Sequence, residues 1–284
     1  MNRRRFVVGG AALAAAGVGG YTWGVEPFWL EVVRRDLPVV GLPPALDGAR
    51  LAHLSDLHVG PRVRDSFLVD ALRHTGSLRP DFVVVTGDLI THHEARGDAT
   101  YRQLRGVLDH LPRGRLGTVA VLGNHDYGTA AAGWRDLAVA ARVQAELERA
   151  GARVLRNEAA AVAGLDFVGV EDLWSGRADA RRAFDRRASR AAVALCHNPD
   201  GADELAWGDY RGWILAGHTH GGQCKPPFLP PPLLPVRNRR YAAGAVGAPG
   251  GRTLYISRGV GYWLHVRFNV RPEVTLFTLR PASA

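Results

Sequence analysis

Leu215-Ala216-Gly217-His218-Thr219-His220-Gly221-Gly222-Gln223 follows directly on Gly212-Trp213-Ile214, and residues 212–215 form a short apolar run of the kind that makes a buried strand. Two histidines separated by one residue, flanked by glycines that let the chain turn tightly, can aim both rings at one point beyond a strand end. Imidazole is the commonest protein ligand for zinc, iron and related ions, so the pair suggests a metal. A single His-x-His also occurs on ordinary surfaces. The reading therefore depends on whether partners stand at the ends of other strands.

Partners do stand there. Residues 50–55 read as a strand running into Asp56-Leu57-His58, and residues 81–86 as one ending in Gly87-Asp88. Residues 118–122 lead into Gly123-Asn124-His125-Asp126, and residues 191–195 into Cys196-His197-Asn198-Pro199. Residues 65–75, 98–110 and a stretch from Trp134 to Ala145 carry apolar residues at helical spacing. Shorter strands are expected over 31–33 with 37–40, 153–156, 161–163, 166–170, 253–257 and 273–279, and an Arg-rich helix over 177–189. Apolar strands alternating with helices predict an α/β fold with a sheet buried on both faces, and such sheets gather ligands at the carboxyl ends of their strands.

The 284-residue chain is 46% hydrophobic, enough for a sizeable core in one large domain or two small ones. Its formal charge is +9 and its pI is near 10.3. Lys225 is the only lysine, so the basic excess is arginine spread along the whole chain. That spread reads as a solvated basic surface and argues against nucleic acid as a partner, while leaving attraction for anionic substrates or lipid head groups. Cys196 and Cys224 match no zinc-ribbon spacing and no disulfide framework, although a bond between them in an oxidising compartment stays open. Nothing signals a particular oligomeric state.

The chain begins Met1-Asn2-Arg3-Arg4-Arg5-Phe6 and continues through a weakly apolar, Gly/Ala-rich stretch to Val25. Paired arginines before such a run fit a twin-arginine export signal, a route that carries folded proteins. Six glycines before residue 25 make it a poor buried helix. Small-residue triplets such as Ala12-Leu13-Ala14 fall inside the run instead of after it, which favours a retained anchor over a removed signal.

Taken singly, each polar residue at the strand ends has a plainer reading. Asp after Gly is often a turn residue, Asn before His a cap, and a buried His a hydrogen-bonded packing group. Their joint occurrence is another matter. Burying so many at the mouth of one sheet costs on the order of several kcal/mol per unpaired ion unless something neutralises them. Two divalent cations would do so, and mixed carboxylate, amide and imidazole donors suit Mn, Fe, Co or Zn.

The order Asp56-x-His58, Gly87-Asp88, Gly123-Asn124-His125-Asp126, His197, Gly217-His218-x-His220 resembles the calcineurin-like metallophosphoesterase superfamily. Residues 197–200, the long box 217–223, residues 257–261, and Arg267-Phe268 before Pro272-Glu273 resemble a membrane-associated bacterial branch of it. The resemblance covers residue 50 to the C-terminus. It implies two packed mixed β-sheets flanked by helices, a metallophosphoesterase-type β-sandwich. It also implies Asp56, His58 and His220 as ligands of one metal, Asp88 bridging two, and Asn124, His197 and His218 completing the second. A bridging carboxylate holds such ions roughly 3.5–4 Å apart, the spacing that clamps attacking and leaving oxygens in two-metal hydrolysis, with hydroxide as the nucleophile. The same resemblance has His125 facing the leaving group and Asp126 orienting its ring.

The expectation is a dinuclear metal-dependent phosphohydrolase acting on phosphodiester or pyrophosphate bonds, with a lipid-linked substrate among the options. Residues 1–30 would be the export signal or anchor and 31–284 the catalytic domain. The enzyme would sit at the outer face of the cytoplasmic membrane, in the periplasm or outside the cell. Alternatives are a phosphomonoesterase or nuclease using the same centre, or a non-catalytic metal-binding surface protein. The Pro-rich insert 226–235, followed by Arg237, Arg239 and Arg240, reads either as a rigid loop against the body or as a lip meeting the bilayer, with Trp263 and Leu264 beside it. His92 and His93 read as an exposed loop, with substrate contact as the alternative, and His53 as a packed or edge strand residue; Arg258 and Arg267, whose guanidinium forks match phosphate oxygens, stay outside the catalytic set.

Overall fold

Alternation along the central strands decides the layering. In β3 (Phe82–Thr86), Phe82 and Val84 face one apolar cluster while Val83 and Val85 face another. In β4 (Gly117–Val121), Val119 and Val121 face inward with Phe82, and Ala120 faces outward. Period-two patterning with both faces apolar is what a strand needs when each face meets a covering layer. The computed structural model describes residues 3–91, 97–129, 131–185 and 187–282.

Two six-stranded mixed sheets result. The first contains β1 (Glu31–Val40), β12 (Glu273–Ala282), β2 (Arg50–Leu54), β3, β4 and β5 (Arg153–Val154), in the order β1-β12-β2-β3-β4-β5. The second contains β6 (Glu158–Val162), β7 (Leu165–Gly169), β8 (Ala192–Leu195), β9 (Trp213–Ala216), β10 (Gly244–Ala248) and β11 (Arg252–Ile256), in the order β10-β11-β9-β8-β7-β6. Leu51, Phe82 and Phe277 of one sheet pack with Phe167, Val193, Leu195 and Leu215 of the other, filling the space between them. Helices α2 (Asp65–Ser77), α3 (Asp98–Leu108) and α4 (Leu137–Arg149) cover the outer face of the first sheet. Short helices α5 (Ala180–Phe184) and α6 (Gly201–Glu204) lie on the second. The sandwich flanked by helices is thus present, with β2, β3 and β4 parallel in one layer and β7, β8 and β9 parallel in the other.

Several local expectations need adjusting. Residues 31–40 form one continuous strand, and Pro38 is tolerated because β1 is an edge. The helix expected over 177–189 shrinks to Ala180–Phe184, capped by Asp179, because its arginines offer little apolar surface to bury. Helix α4 starts after Asp136, whose carboxylate caps Ala138 and Val139, and leaves Trp134 outside it and exposed. Strand β10 was not expected; its Gly-Ala-Val-Gly-Ala sequence has no β-branched run to announce it. The N-terminal stretch forms helix α1 (Arg3–Gly24), whose described side chains over 9–20 are exposed, so it is not a buried helix. No helix among the described residues is long and apolar enough to cross a membrane.

Candidate metal centre

Strand ends from both sheets meet at one edge of the sandwich. Asp56 and His58 follow β2, Asp88 follows β3, and Asn124 and His125 follow β4, all from the first sheet. His197 follows β8, and His218 and His220 follow β9, from the second. Hydrogen bonds cross between the sheets here. The backbone N–H of His218 donates to both Asp56 oxygens (3.0 and 3.2 Å), and His197 Nδ1 donates to the Thr86 carbonyl (2.6 Å). All of these side chains are buried.

The local backbone is unusual. Asp56, His58, Asp88, His218 and His220 all have φ between 50° and 71°, in the left-handed region that non-glycine residues seldom occupy. Each such residue costs on the order of 1–3 kcal/mol and persists only where its surroundings over-determine it. Glycines make the room. A Cβ on Gly217 would overlap Ser55 Oγ and the Asp56 carboxylate, and one on Gly123 would overlap Asp88 and crowd His197. Gly217→Ala is therefore expected to displace Asp56, lower stability by about 1–3 kcal/mol through overpacking, and lose bound metal. Thermal melting with metal analysis checks this, and unchanged metal content in the Gly217→Ala protein would contradict it.

The side chains converge on Asp88. Its Oδ2 lies 3.2 Å from His197 Nε2, 3.7 Å from His58 Nε2 and 3.9 Å from His125 Nε2. On one side, His58 Nε2 and His220 Nε2 stand 3.0 Å apart, and the latter is 3.4 Å from Asp56 Oδ1. On the other, Asp88, His197 and His218 form a second group. Asn124, on the loop after β4, donates from Nδ2 to the Thr129 carbonyl (2.8 Å), which leaves its Oδ1 without a hydrogen-bond partner among the described residues. His197 Nε2 faces the Asp88 carboxylate without a well-aligned hydrogen bond among the described residues. Buried polar atoms are nearly always satisfied, so the Asn124 Oδ1 lone pair fits a divalent cation, as does a carboxylate crowded by His197. The donor set of carboxylate, amide and imidazole fits too.

Electrostatics points the same way. Burial pushes the Asp56 carboxyl up to about 7, with the Asp88 charge adding to it. Burial also holds His58 and His220 well below the usual imidazole range, so both rings are neutral and able to ligate. Burial opposes the His197 cation, yet Asp88 outweighs it and pushes the ring up to about 10. Such a cluster calls for positive charge at its centre.

His125 sits in a 3-10 turn (His125–Tyr127), its backbone N–H donating to Asp88 Oδ1 (2.9 Å) and its ring perpendicular to that of His58, with centroids 4.8 Å apart. Asp126 accepts the backbone amides of Leu89 (2.8 Å), Ile90 (3.4 Å) and Gly123 (2.9 Å), so it braces the two loops that carry Asp88, Asn124 and His125. His53 is packed, as expected. It is buried, stacks on Phe277 and bonds Thr86 Oγ1 (2.8 Å), and burial pushes its ring down to about 3.

Arg258 pairs with Glu273 (2.5 Å) and Glu31 (3.0 Å). Arg267 is fully buried and donates to the carbonyls of Arg258, Gly259, Gly261 and Val270, so it holds the loop packed on Asp56. That loop is seated by amides of Val260 and Gly261 on the carbonyls of Ser55 and Asp56. Cys196 and Cys224 are both free thiols. His92 and His93 lie outside the described residues.

Some contributors had no signal in the sequence. The Pro235 carbonyl lies 3.0 Å from His218 Nε2, closer than Asn198 Nδ2 at 3.3 Å, and favours the tautomer that leaves Nδ1 for a metal. Trp174 sets its ring edge against His218, centroids 4.7 Å apart. Asp172, buried, accepts the amides of Trp174 and Ser175, and burial pushes its carboxyl up to about 6.

Comparison with known proteins agrees with this geometry. Phosphodiesterase YaeI of Escherichia coli (strain K12) is 32% identical, over 98% of this chain and 99% of its own. The uncharacterized metallophosphoesterase YkuE of Bacillus subtilis (strain 168) is 30% identical, over 100% of this chain and 99% of its own. UDP-2,3-diacylglucosamine pyrophosphatase LpxG of Chlamydia trachomatis is 29% identical, over 93% and 94%. The calcineurin-like phosphoesterase profile matches residues 49–222, the span from the start of β2 to the glycines after His220, and the chain belongs to that family.

Proposed function

We propose that the chain hydrolyses phosphodiester or pyrophosphate bonds using two divalent metal ions. Asp56, His58 and His220 would hold one, Asn124, His197 and His218 the other, and Asp88 both. The observation that carries this reading is the convergence of His58, His220, Asp56, His197 and His125 within 4 Å contacts around Asp88 or one another, with an unpartnered Oδ1 on Asn124 among the described residues. Mn, Fe, Zn and Co all match the donor set. Bound there, such ions supply a strong oxygen nucleophile at neutral pH and neutralise phosphate charge.

The chain's own residues do the rest. The Thr86 and Pro235 carbonyls orient the His197 and His218 rings, and Asp126 fixes the loops around Asp88. His125 donates a proton to the departing oxygen or stabilises its charge. The names of YaeI and LpxG favour diester and pyrophosphate bonds, and that of LpxG an acylated substrate. The test is hydrolysis of bis(4-nitrophenyl) phosphate and 4-nitrophenyl phosphate by the full-length, Mn²⁺-loaded protein. The diester should turn over faster. A preference for the monoester would point to a phosphomonoesterase, and silence on both with metal bound would overturn the reading.

The N-terminal segment 1–30 is read as a twin-arginine signal or anchor ahead of the catalytic domain 31–284, placing the enzyme outside the cytoplasm against a membrane. Exposed apolar residues support this: Leu13, Val18, Trp23 and Trp29 near the N-terminus, Phe228, Leu229 and Leu233 in the Pro-rich loop, and Trp263 and Leu264. Gln223, just past His220, bonds the backbone of Trp263, Leu264 and Val266, so the last pair borders the site. Arg271 over Trp29 and Arg64 over Phe28 offer charge to anionic head groups. Flotation with phosphatidylglycerol vesicles should exceed that with phosphatidylcholine. Replacing Trp263 and Leu264 together by Ala should weaken binding by roughly tenfold or more, because side chains of this kind contribute about 1.5–3 kcal/mol each when fully buried. Equal recovery with both lipids and both proteins would sink the idea.

A further inference from the structure

We infer that the cleft between the Leu173–Trp174 loop and the Leu234–Arg237 segment binds an apolar alkyl or aryl group esterified to the phosphate, and that Trp174 sets this preference. The inference rests on the phosphoesterase reading and narrows its substrate class.

The cleft holds about 600 Å³, within the range of small-molecule sites. Ala131, Leu173, Trp174, Leu234, Pro235 and Val236 give it a mainly apolar wall. Three of these segments are one or two contacts from the metal centre. The Trp174 ring abuts His218, the Pro235 carbonyl accepts from it, and the Ala131 carbonyl accepts Thr129 Oγ1 (2.5 Å), whose own carbonyl accepts Asn124 Nδ2. The cleft therefore begins on the His218 side of the centre. His125 faces the opposite side, towards His58. A phosphate between the two would direct its leaving oxygen at His125 and its retained organic group into the cleft.

The polar groups of the cleft are already engaged, which argues against a sugar or base there. Asp200 accepts the amides of Arg237 (2.6 Å) and Asn238 (3.1 Å). Glu204 pairs with the Arg237 guanidinium (2.9 Å) at the exposed outer end. Hydroxyls placed inside would find few free partners and lose their water, whereas methylenes lose only contact with water. The Trp174 ring rests against His218, and its backbone is held in advance of binding. Its amide donates to buried Asp172 (2.9 Å), and its carbonyl accepts from Gly133 (2.9 Å). A fixed aromatic wall costs little entropy when a ligand arrives.

The test uses methyl, butyl and octyl 4-nitrophenyl phosphates, below micelle-forming concentrations, with the full-length Mn²⁺-loaded protein. Calorimetric binding of the matching alkyl methylphosphonates, which are not turned over, is measured in parallel. From methyl to butyl, kcat/KM should rise at least about tenfold, mainly through KM, since each added methylene in an apolar pocket can bring that much. Binding should follow the same order. Trp174→Ala should lose at least about tenfold more on the octyl than on the methyl ester. Leu234→Ser, on the opposite and more exposed wall, should repeat that pattern and covers the case in which the Trp174 variant fails to fold. Hydrolysis with a flat alkyl series, or equal losses on all esters in both variants, would overturn the subsite alone. No hydrolysis of any diester by metal-loaded protein would overturn the phosphoesterase reading, and the subsite with it.

Discussion

Replacing Asp88 by Asn is expected to strip both metal ions at once and to abolish phosphodiester hydrolysis. Asp88 Oδ2 lies within 4 Å of ring nitrogens on His58, His125 and His197. Its Oδ1 meanwhile receives the His125 amide. Asparagine has the same shape and can keep that amide bond, so the loops should stay in place. What it lacks is charge and a second oxygen. Even outer-sphere partners of metal sites cost about 10–100-fold in affinity when removed, so a shared inner ligand should cost more than about 100-fold. Metal analysis after gel filtration, alongside the diester assay, decides it. A variant that keeps both ions, or loses only one, would show that Asp88 does not bridge. A melting temperature in chelator close to that of the parent would show that the loss is not one of fold.

Much of this site was legible because each contributing residue ends a continuous apolar run. Residues 118–122 before Asn124 and His125, and residues 191–195 before His197, could hardly be anything but buried strands. What alternation of strands and helices could not reveal was the second layer. Local pattern fixes which residues are buried on both faces, but not that β7, β8 and β9 pair among themselves and meet β2, β3 and β4 face to face. That expectation came from the family resemblance instead.

The left-handed backbone at Asp56, His58, Asp88, His218 and His220 was equally hidden. It is imposed by contacts from distant segments, such as the His218 amide on Asp56, and no local signal announces it in a non-glycine residue. The groups that orient the rings, the Thr86 and Pro235 carbonyls, are main-chain atoms with no residue type to mark them. Asp172 turns the Trp174 loop locally, by receiving amides two and three residues on, but the place of that loop beside His218 is a tertiary fact. The shortening of the helix expected over 177–189 has the opposite cause. Ala180, Ala183 and Phe184 pack on the second sheet, but the arginine-rich residues around them extend no apolar face.

His125→Ala should behave unlike the Asp88 variant: turnover falls by roughly 10²–10⁴-fold, the range of positioned acid catalysis, while metal content stays at the parental level. The backbone amide that anchors this residue to Asp88 survives the substitution, and so do the ring nitrogens of His58, His197 and His220. The size of the loss should depend on the leaving group. A 4-nitrophenolate departs with little need of a proton, whereas an alkoxide must be protonated as it leaves. If His125 is the acid, the variant should lose far more on a dialkyl than on a 4-nitrophenyl diester, because the proton it supplied mattered more there. If instead the ring chiefly stabilises charge on the phosphate, both substrates should suffer alike. Loss of metal on removing this one side chain would refute both roles and make His125 a ligand, a place its 3.9 Å approach to Asp88 Oδ2 would then explain.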